Sequence, residues 1–164
     1  MKARRVVRAA PTREEKTADE MASIIAVCTS AKKGTKKKDI KEGFIKEDYG
    51  LVGDAHAGSD GHRQVSLLAL ASIDKIRRLG AEVGPGDFAE NLTTEGLELF
   101  SLPIGTQLSV GQDVILEMTQ IGKECHDRCA IFKLVGTCVM PTEGVFTRVL
   151  KGGTVKAGDE LRVI

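Results

Sequence analysis

Aromatic residues are scarce in this chain, with no tryptophan, one tyrosine and five phenylalanines among 164 residues. Without a platform of rings for bases to stack on, the lysine clusters get little support as a nucleic-acid surface. Long apolar runs are also missing. The longest mainly apolar stretch, "VSLLALASI" at 65–73, is far too short to span a bilayer. The basic start "MKARRVVRAAPTREEK" is followed by no apolar segment of signal-peptide length, so the expected location is cytoplasmic, with no membrane partner. Only four cysteines are present, and in a reducing compartment they are expected to be thiols or ligands rather than disulfides. Phosphate-loop, dinucleotide-glycine and nucleophile-elbow patterns are all absent.

What the chain does hold is glycine, 18 residues of it, between short apolar segments. That combination points to a turn-rich β protein. Charge is divided unevenly along the chain. Residues 1–41 carry 12 Lys/Arg against 5 Asp/Glu, and the remainder carries 12 against 18, so +7 and −6 leave a net +1. The basic front end could meet an anion or an acidic partner, or be a solvated arm. Residues 1–22 show no strand alternation and are expected to form a loose extension, with one folded domain over 23–164.

Within that domain "SIIAVCTS" (23–30) suits a buried strand, which puts Cys28 in the core. "AKKGTKKKDIKEG" (31–43) reads as an exposed basic loop. The apolar spacing of Leu70, Ile73, Ile76 and Leu79 predicts a helix over 68–81, closed by Gly80. "DVILEMTQI" (113–121) is the strongest strand. "LPIGTQLSVGQDVIL" and "LKGGTVKAGDELRV" echo each other, Gly105 and Gly111 corresponding to Gly153 and Gly158 within one residue. Both read as hairpins. The expected fold is therefore mainly β with a few helices, a closed or nearly closed β-barrel.

The chemistry concentrates in three segments. "IGKECHDRCAIF" (121–132) sets Cys125, His126 and Cys129 among Lys123 and Arg128. With Cys138 they make C-H-x2-C-x8-C, a four-ligand set for zinc in principle. However, adjacent Cys125 and His126 would strain chelation and Cys138 stands alone, so zinc is not expected. Nearby cations lower a thiol's pKa, so Cys125 or Cys129 could instead be a reactive thiolate, or both could be small buried hydrophobes. In "GDAHAG" (53–58), Asp54 and His56 lie two apart and suit an acid/base pair, two metal ligands, or an Asp-mediated turn. Arg63 could hold a phosphate or carboxylate. In "GDFAENLTTEG" (86–96), Asn91 could fix a ligand's polar edge or a turn.

Taken in order, "VGDAHAG", "RQVSLL", "PGDFAENLTTEGL", "LPIGTQLSVG", "TQIGKECH" and "VLKGGTVKAGDEL" resemble the MOSC domain, named from the C-terminal domain of molybdenum cofactor sulfurase. The resemblance runs from about residue 23 to 164. It is similar to a stand-alone member, since the chain has no room for the sulfurase's pyridoxal-phosphate domain. The resemblance implies a β-barrel that binds the molybdenum (or tungsten) cofactor, or carries sulfur to the metal as a cysteine persulfide. The partners it implies are a cysteine desulfurase or a molybdoenzyme. The match "TQ-x4-C" gives the family's cysteine, which carries sulfur or ligates the metal, as Cys125, with Cys129 of "RCAIF" as the competing match. An anionic pterin phosphate needs cations and backbone N–H groups, which Arg63, Lys123 and Arg128 with the glycine loops could supply, and His126 beside the thiol with Asp54, His56 and Asn91 complete the candidate residues. A second reading is a reductase of N-hydroxylated compounds, although such members carry an N-terminal barrel partner that this chain lacks. A third is a non-catalytic barrel that binds zinc or nothing.

Overall fold

A computed structural model of the chain describes residues 22–33, 35–123, 131 and 135–164. Its strands close on themselves. Naming strands in chain order, β1 is Ala22–Thr29, β2 Lys38–Asp39, β3 Glu42–Lys46, β4 Gly50–Leu51 and β5 Val65–Ala69. They are followed by β6 Leu92–Glu95, β7 Gln107–Val110, β8 Val114–Ile121, β9 Val145–Lys151, β10 Gly153–Lys156 and β11 Glu160–Val163. The large sheet runs β11-β7-β8-β9-β5-β6-β1, and β1 pairs back onto β11 through Ala22–Leu161 and Ser23–Glu160. The result is a seven-stranded barrel, whose closure leaves no ladder edge open. Strand β2 is added outside β1, and β10-β3-β4 form a second small sheet.

Strand alternation builds the interior. In β8, Val114, Leu116 and Met118 point inward and are fully buried, while Ile115, Glu117 and Thr119 lie on the other face. They join Ile24, Leu67, Leu92, Leu108, Val149 and Leu161 in one barrel core. The parallel pair β5–β6 is linked through helix α1 (Leu70–Arg77), because parallel neighbours need a crossover. Ile73 and Ile76 of α1 pack with Leu68, Phe88 and Phe146 in a second cluster outside the barrel. A one-turn helix, α2 (Met140–Glu143), adds Met140 to that cluster.

Three sequence expectations change. The helix is shorter than its apolar spacing suggests, because β5 takes residues up to Ala69, and Leu79 lies beyond the helix and is exposed. The second glycine echo is not a hairpin: β10 pairs with β3, and β11 pairs with β7 and β1. The stretch 31–43 is not a plain exposed loop, because it contains β2 and buries Lys37. Among the described residues no helix is long and apolar enough to cross a membrane.

Candidate functional site

One lysine of a basic run is buried just before β2. In "KKK" at 36–38 the outer two lysines are exposed, and Lys37 turns inward with a side chain that has no solvent contact. Its backbone N–H donates to the Gly86 carbonyl at 2.8 Å. Only a glycine tolerates that approach. Gly86 has φ +88°, and a Cβ there would stand 2.1 Å from the Lys37 carbonyl oxygen.

The Lys37 ammonium donates to Asp54 Oδ1 at 2.6 Å and to Ser30 Oγ at 3.2 Å, and lies 3.0 Å from His56 Nδ1. The Asp54 carboxylate is equally enclosed. Oδ1 also accepts the Ser30 N–H at 3.1 Å, and Oδ2 accepts the His56 N–H at 3.1 Å. Burial opposes the charge on Asp54. The Lys37 hydrogen bond and charge, the Ser30 N–H and the Asn91 amide outweigh it and hold the carboxyl below the usual aspartate range. His56 is driven the other way from ionisation. Its pKa is lowered by burial first and then by the Lys37 charge, with Lys123 and Lys33 adding to the effect and Asp54 opposing it.

The structure places Asp54 and His56 side by side, with Asp54 Oδ2 accepting the His56 N–H. The residue that organises them is Lys37, which the sequence does not single out, because its neighbours Lys36 and Lys38 are the same residue type. The Asp54 oxygens are engaged by Lys37 and two backbone N–H groups, so Asp54 anchors the turn that presents His56. The His56 side chain itself keeps 30 % of its surface exposed.

Asn91 is a clamp between strands. Its side-chain oxygen accepts from Ser66 N–H and Oγ–H, and its amide donates to the Cys28 carbonyl at 3.1 Å. Beside it, Glu90 is buried with its oxygens on the Gly86 N–H and the Thr93 hydroxyl. Burial raises its pKa, and these donors only partly offset that. Cys28 is buried, and desolvation together with the Glu90 charge pushes its pKa up to about 12. It is therefore a core thiol, as its strand position predicts.

Arg63 is exposed, its guanidinium 5.9 Å from the centroid of the Phe146 ring. The neighbouring His62 joins the same loop to the barrel. Its Nδ1 lies 2.9 Å from Thr119 Oγ1, and that hydroxyl is 3.0 Å from the His62 carbonyl. Thr119 sits where the β8–β9 register slips, a bulge that re-aims its side chain. Two residues past β8, Lys123 is half-buried and its charge reaches His56. Gly122 makes that exit, with φ +75° and a Cβ position 2.0 Å from the Pro141 carbonyl oxygen. Cys125, His126, Arg128 and Cys129 lie outside the described residues.

A closed barrel with these loops invites comparison with known proteins. The sequence profile of the MOSC domain matches residues 52–162. The chain belongs to the MOSC family. Solved structures agree on the fold. The YUAD protein from Bacillus subtilis superposes with a TM-score of 0.73 at 18% identity, over 87% of this chain and 95% of that one. YiiM from Geobacillus stearothermophilus gives 0.62 at 16% identity, over 87% and 75% of the two chains. YiiM from Escherichia coli gives 0.60 at 19% identity, over 88% and 69%. No curated protein matches the chain in sequence.

MOSC domains are associated with the molybdenum cofactor in general. The described residues fit the anionic part of such a group. Lys33 and Lys123 supply cations about His56, while Lys37 is committed to Asp54. They do not supply a metal-ligand set, because no three His, Cys, Asp or Glu side chains come together among the described residues.

Proposed function

We propose that this MOSC barrel binds the molybdenum cofactor through a cationic rim and passes sulfur through Cys125. The observation that carries the reading is the junction of loop and strand. The loop bearing His56 is tied to β8 through His62 and Thr119, and β8 leads by way of Lys123 to Cys125, two residues further along the chain. A cationic setting favours the thiolate, which is the nucleophile. Lys123 provides such a charge next to the family's cysteine position.

The chemistry assigned to the chain is a persulfide transfer. The Cys125 thiolate attacks the outer sulfur of a persulfide on a cysteine desulfurase. The new S–S bond forms on Cys125, the donor's S–S bond breaks, and the donor cysteine leaves as a thiolate, with no net oxidation or reduction. When bound, the cofactor would supply the metal centre as the sulfur acceptor. Lys33, Lys123 and the His56 ring would hold its anionic groups, with Arg63 and Arg128 as further cations.

The test is an intact mass after incubation with a cysteine desulfurase and cysteine. One added sulfur is expected on the native chain and on Cys129→Ala, and none on Cys125→Ala. Sulfur retained by Cys125→Ala and lost from Cys129→Ala would move the assignment to Cys129. No added sulfur on any form would end the carrier reading.

A further inference from the structure

A protonated lysine amine has three N–H donors and no acceptor. Among the described residues the Lys37 ammonium has three acceptors within reach, Ser30 Oγ, Asp54 Oδ1 and His56 Nδ1, and its side chain is closed to solvent. For all three N–H groups to be satisfied in this enclosure, His56 Nδ1 must accept. An imidazole that accepts at Nδ1 and remains neutral carries its proton on Nε2. The His56 backbone N–H is held by Asp54 Oδ2, and that carboxylate is itself held by Lys37 and Ser30.

We propose that Lys37 locks His56 as its neutral Nε2–H tautomer, and that His56, whose side chain keeps 30 % of its surface exposed, offers this N–H as a fixed hydrogen-bond donor to an oxyanion. His56 is then a binding residue, and Lys37 is a positioning residue that acts through it. Such a donor needs no reorganisation when an anion arrives. It also differs from the two roles that the Asp-x-His spacing suggests. A general base needs a ring that takes up protons, and a metal ligand needs a free ring nitrogen, and here Nδ1 is occupied while Nε2 is protonated.

The groups acting on the ring are Lys37, Asp54, Lys33 and Lys123, with Ser30 sharing the ammonium. Three of the four charges are positive, and Asp54 is neutralised by Lys37. Their sum opposes the imidazolium, as does burial. The neutral ring therefore persists to lower pH than an ordinary histidine would allow.

The proposal does not require sulfur transfer, and Cys125→Ala protein serves equally well, so the two ideas fail separately. Ring nitrogens of the isotopically labelled full chain are read by long-range proton–nitrogen correlation, with His56 assigned by its loss in His56→Gln. The expected spectrum shows Nε2 protonated and Nδ1 bare at neutral pH and still so where a free histidine is half-protonated, about pH 6.5. In Lys37→Met the ring is expected to populate both tautomers and to take up a proton more readily than in the native chain. Ser30→Ala leaves the Lys37–His56 contact and should keep the native pattern. Inorganic phosphate should shift Nε2–H, with the midpoint weakened about threefold by Lys33→Gln and by Lys123→Gln. A native ring protonated on Nδ1, or one that titrates at about 6.5 as a free histidine does, would overturn the lock even if Lys37→Met does not fold. A His56 signal indifferent to phosphate would overturn the donor role.

Discussion

Asp54 and Glu90 are both carboxylates cut off from solvent, and burial pushes the pKa of each upward. Their outcomes differ in sign. Asp54 faces the Lys37 ammonium and ends below the ordinary range, whereas Glu90 has only the Gly86 N–H, the Thr93 hydroxyl and neighbouring amides, and ends above it. Neutral donors solvate a carboxylate only in part, and a buried cation changes which form is preferred. The two sites share one residue. Gly86 gives its N–H to Glu90 and takes the Lys37 N–H on its carbonyl. Glu90 therefore shapes the loop against which Lys37 is fixed, while Lys37 sets the charge that Glu90 lacks.

The most damaging way to break this comparison is to remove the cation. Lys37→Met leaves the Asp54 carboxylate buried and unpaired, and is expected to cost about 3–5 kcal/mol in urea denaturation at neutral pH. Adding Asp54→Leu to it should recover only part of that loss, because it removes the unpaired charge but leaves the Ser30 and His56 N–H groups without their acceptor. A single variant that unfolds like the native chain would show that the pair does not hold this loop. Gly86→Ala attacks the shared joint and combines a positive φ with a methyl directed at the Lys37 carbonyl, so a loss of about 3 kcal/mol is expected in the same assay.

Glu90→Gln should be much milder, at about 1 kcal/mol or less. The glutamine oxygen still accepts the Gly86 N–H, and the Thr93 hydroxyl can accept from the new amide. The pH dependence separates the two acids by sign. The lowered pKa of Asp54 gives stability that is present above its unfolded value of about 3.9 and lost as pH falls through the folded value. The raised pKa of Glu90 works in the opposite sense. It removes stability as pH rises from the unfolded value, about 4.3, through the folded one. Unfolding free energies measured across the acidic range should therefore rise more steeply with pH in Glu90→Gln than in the native chain. A shallower rise would mean that Glu90 is better solvated than its surroundings indicate.

The contrast also shows why some of the site was legible in sequence and some was not. Strand β8 was readable because Val114, Leu116 and Met118 alternate with exposed-face residues over its first half. Asp54 and His56 were readable because a carboxylate and an imidazole two apart among glycines are unusual. Lys37 was not, since a run of lysines looks solvated unless each is assigned to a face, and burying the middle one depends on Asp54, 17 residues away. The failed hairpin has a similar cause. "LKGGTVKAGDELRV" holds the local pattern of two strands and a turn, but the partners are distant, β3 for one and β7 with β1 for the other. Local pattern specifies a strand and its faces, while its neighbours are chosen at long range, by barrel closure for β11 and by the second small sheet for β10. Cys125 and Cys129, the most prominent feature of the sequence, lie outside the described residues, so their assignment stays with the sulfur-transfer experiment.

The smallest expected effect concerns Cys28, which lies in the fields of both sites. Glu90 raises its pKa and Lys37 lowers it, while burial is the largest influence, and the thiol ends at about 12. Near neutral pH it is protonated and enclosed, so iodoacetamide should leave it unmodified in the folded chain and alkylate it in urea. Glu90→Gln removes a charge that disfavours the thiolate, so the pKa should fall. Burial remains, and the folded thiol should still resist alkylation. The same reagent should modify Cys125 in the native chain if that residue is the working thiol. Peptide mapping after brief labelling reads both cysteines at once. Fast alkylation of native Cys28 would show that the barrel opens at β1, where that strand meets β2 and β6, well before it unfolds.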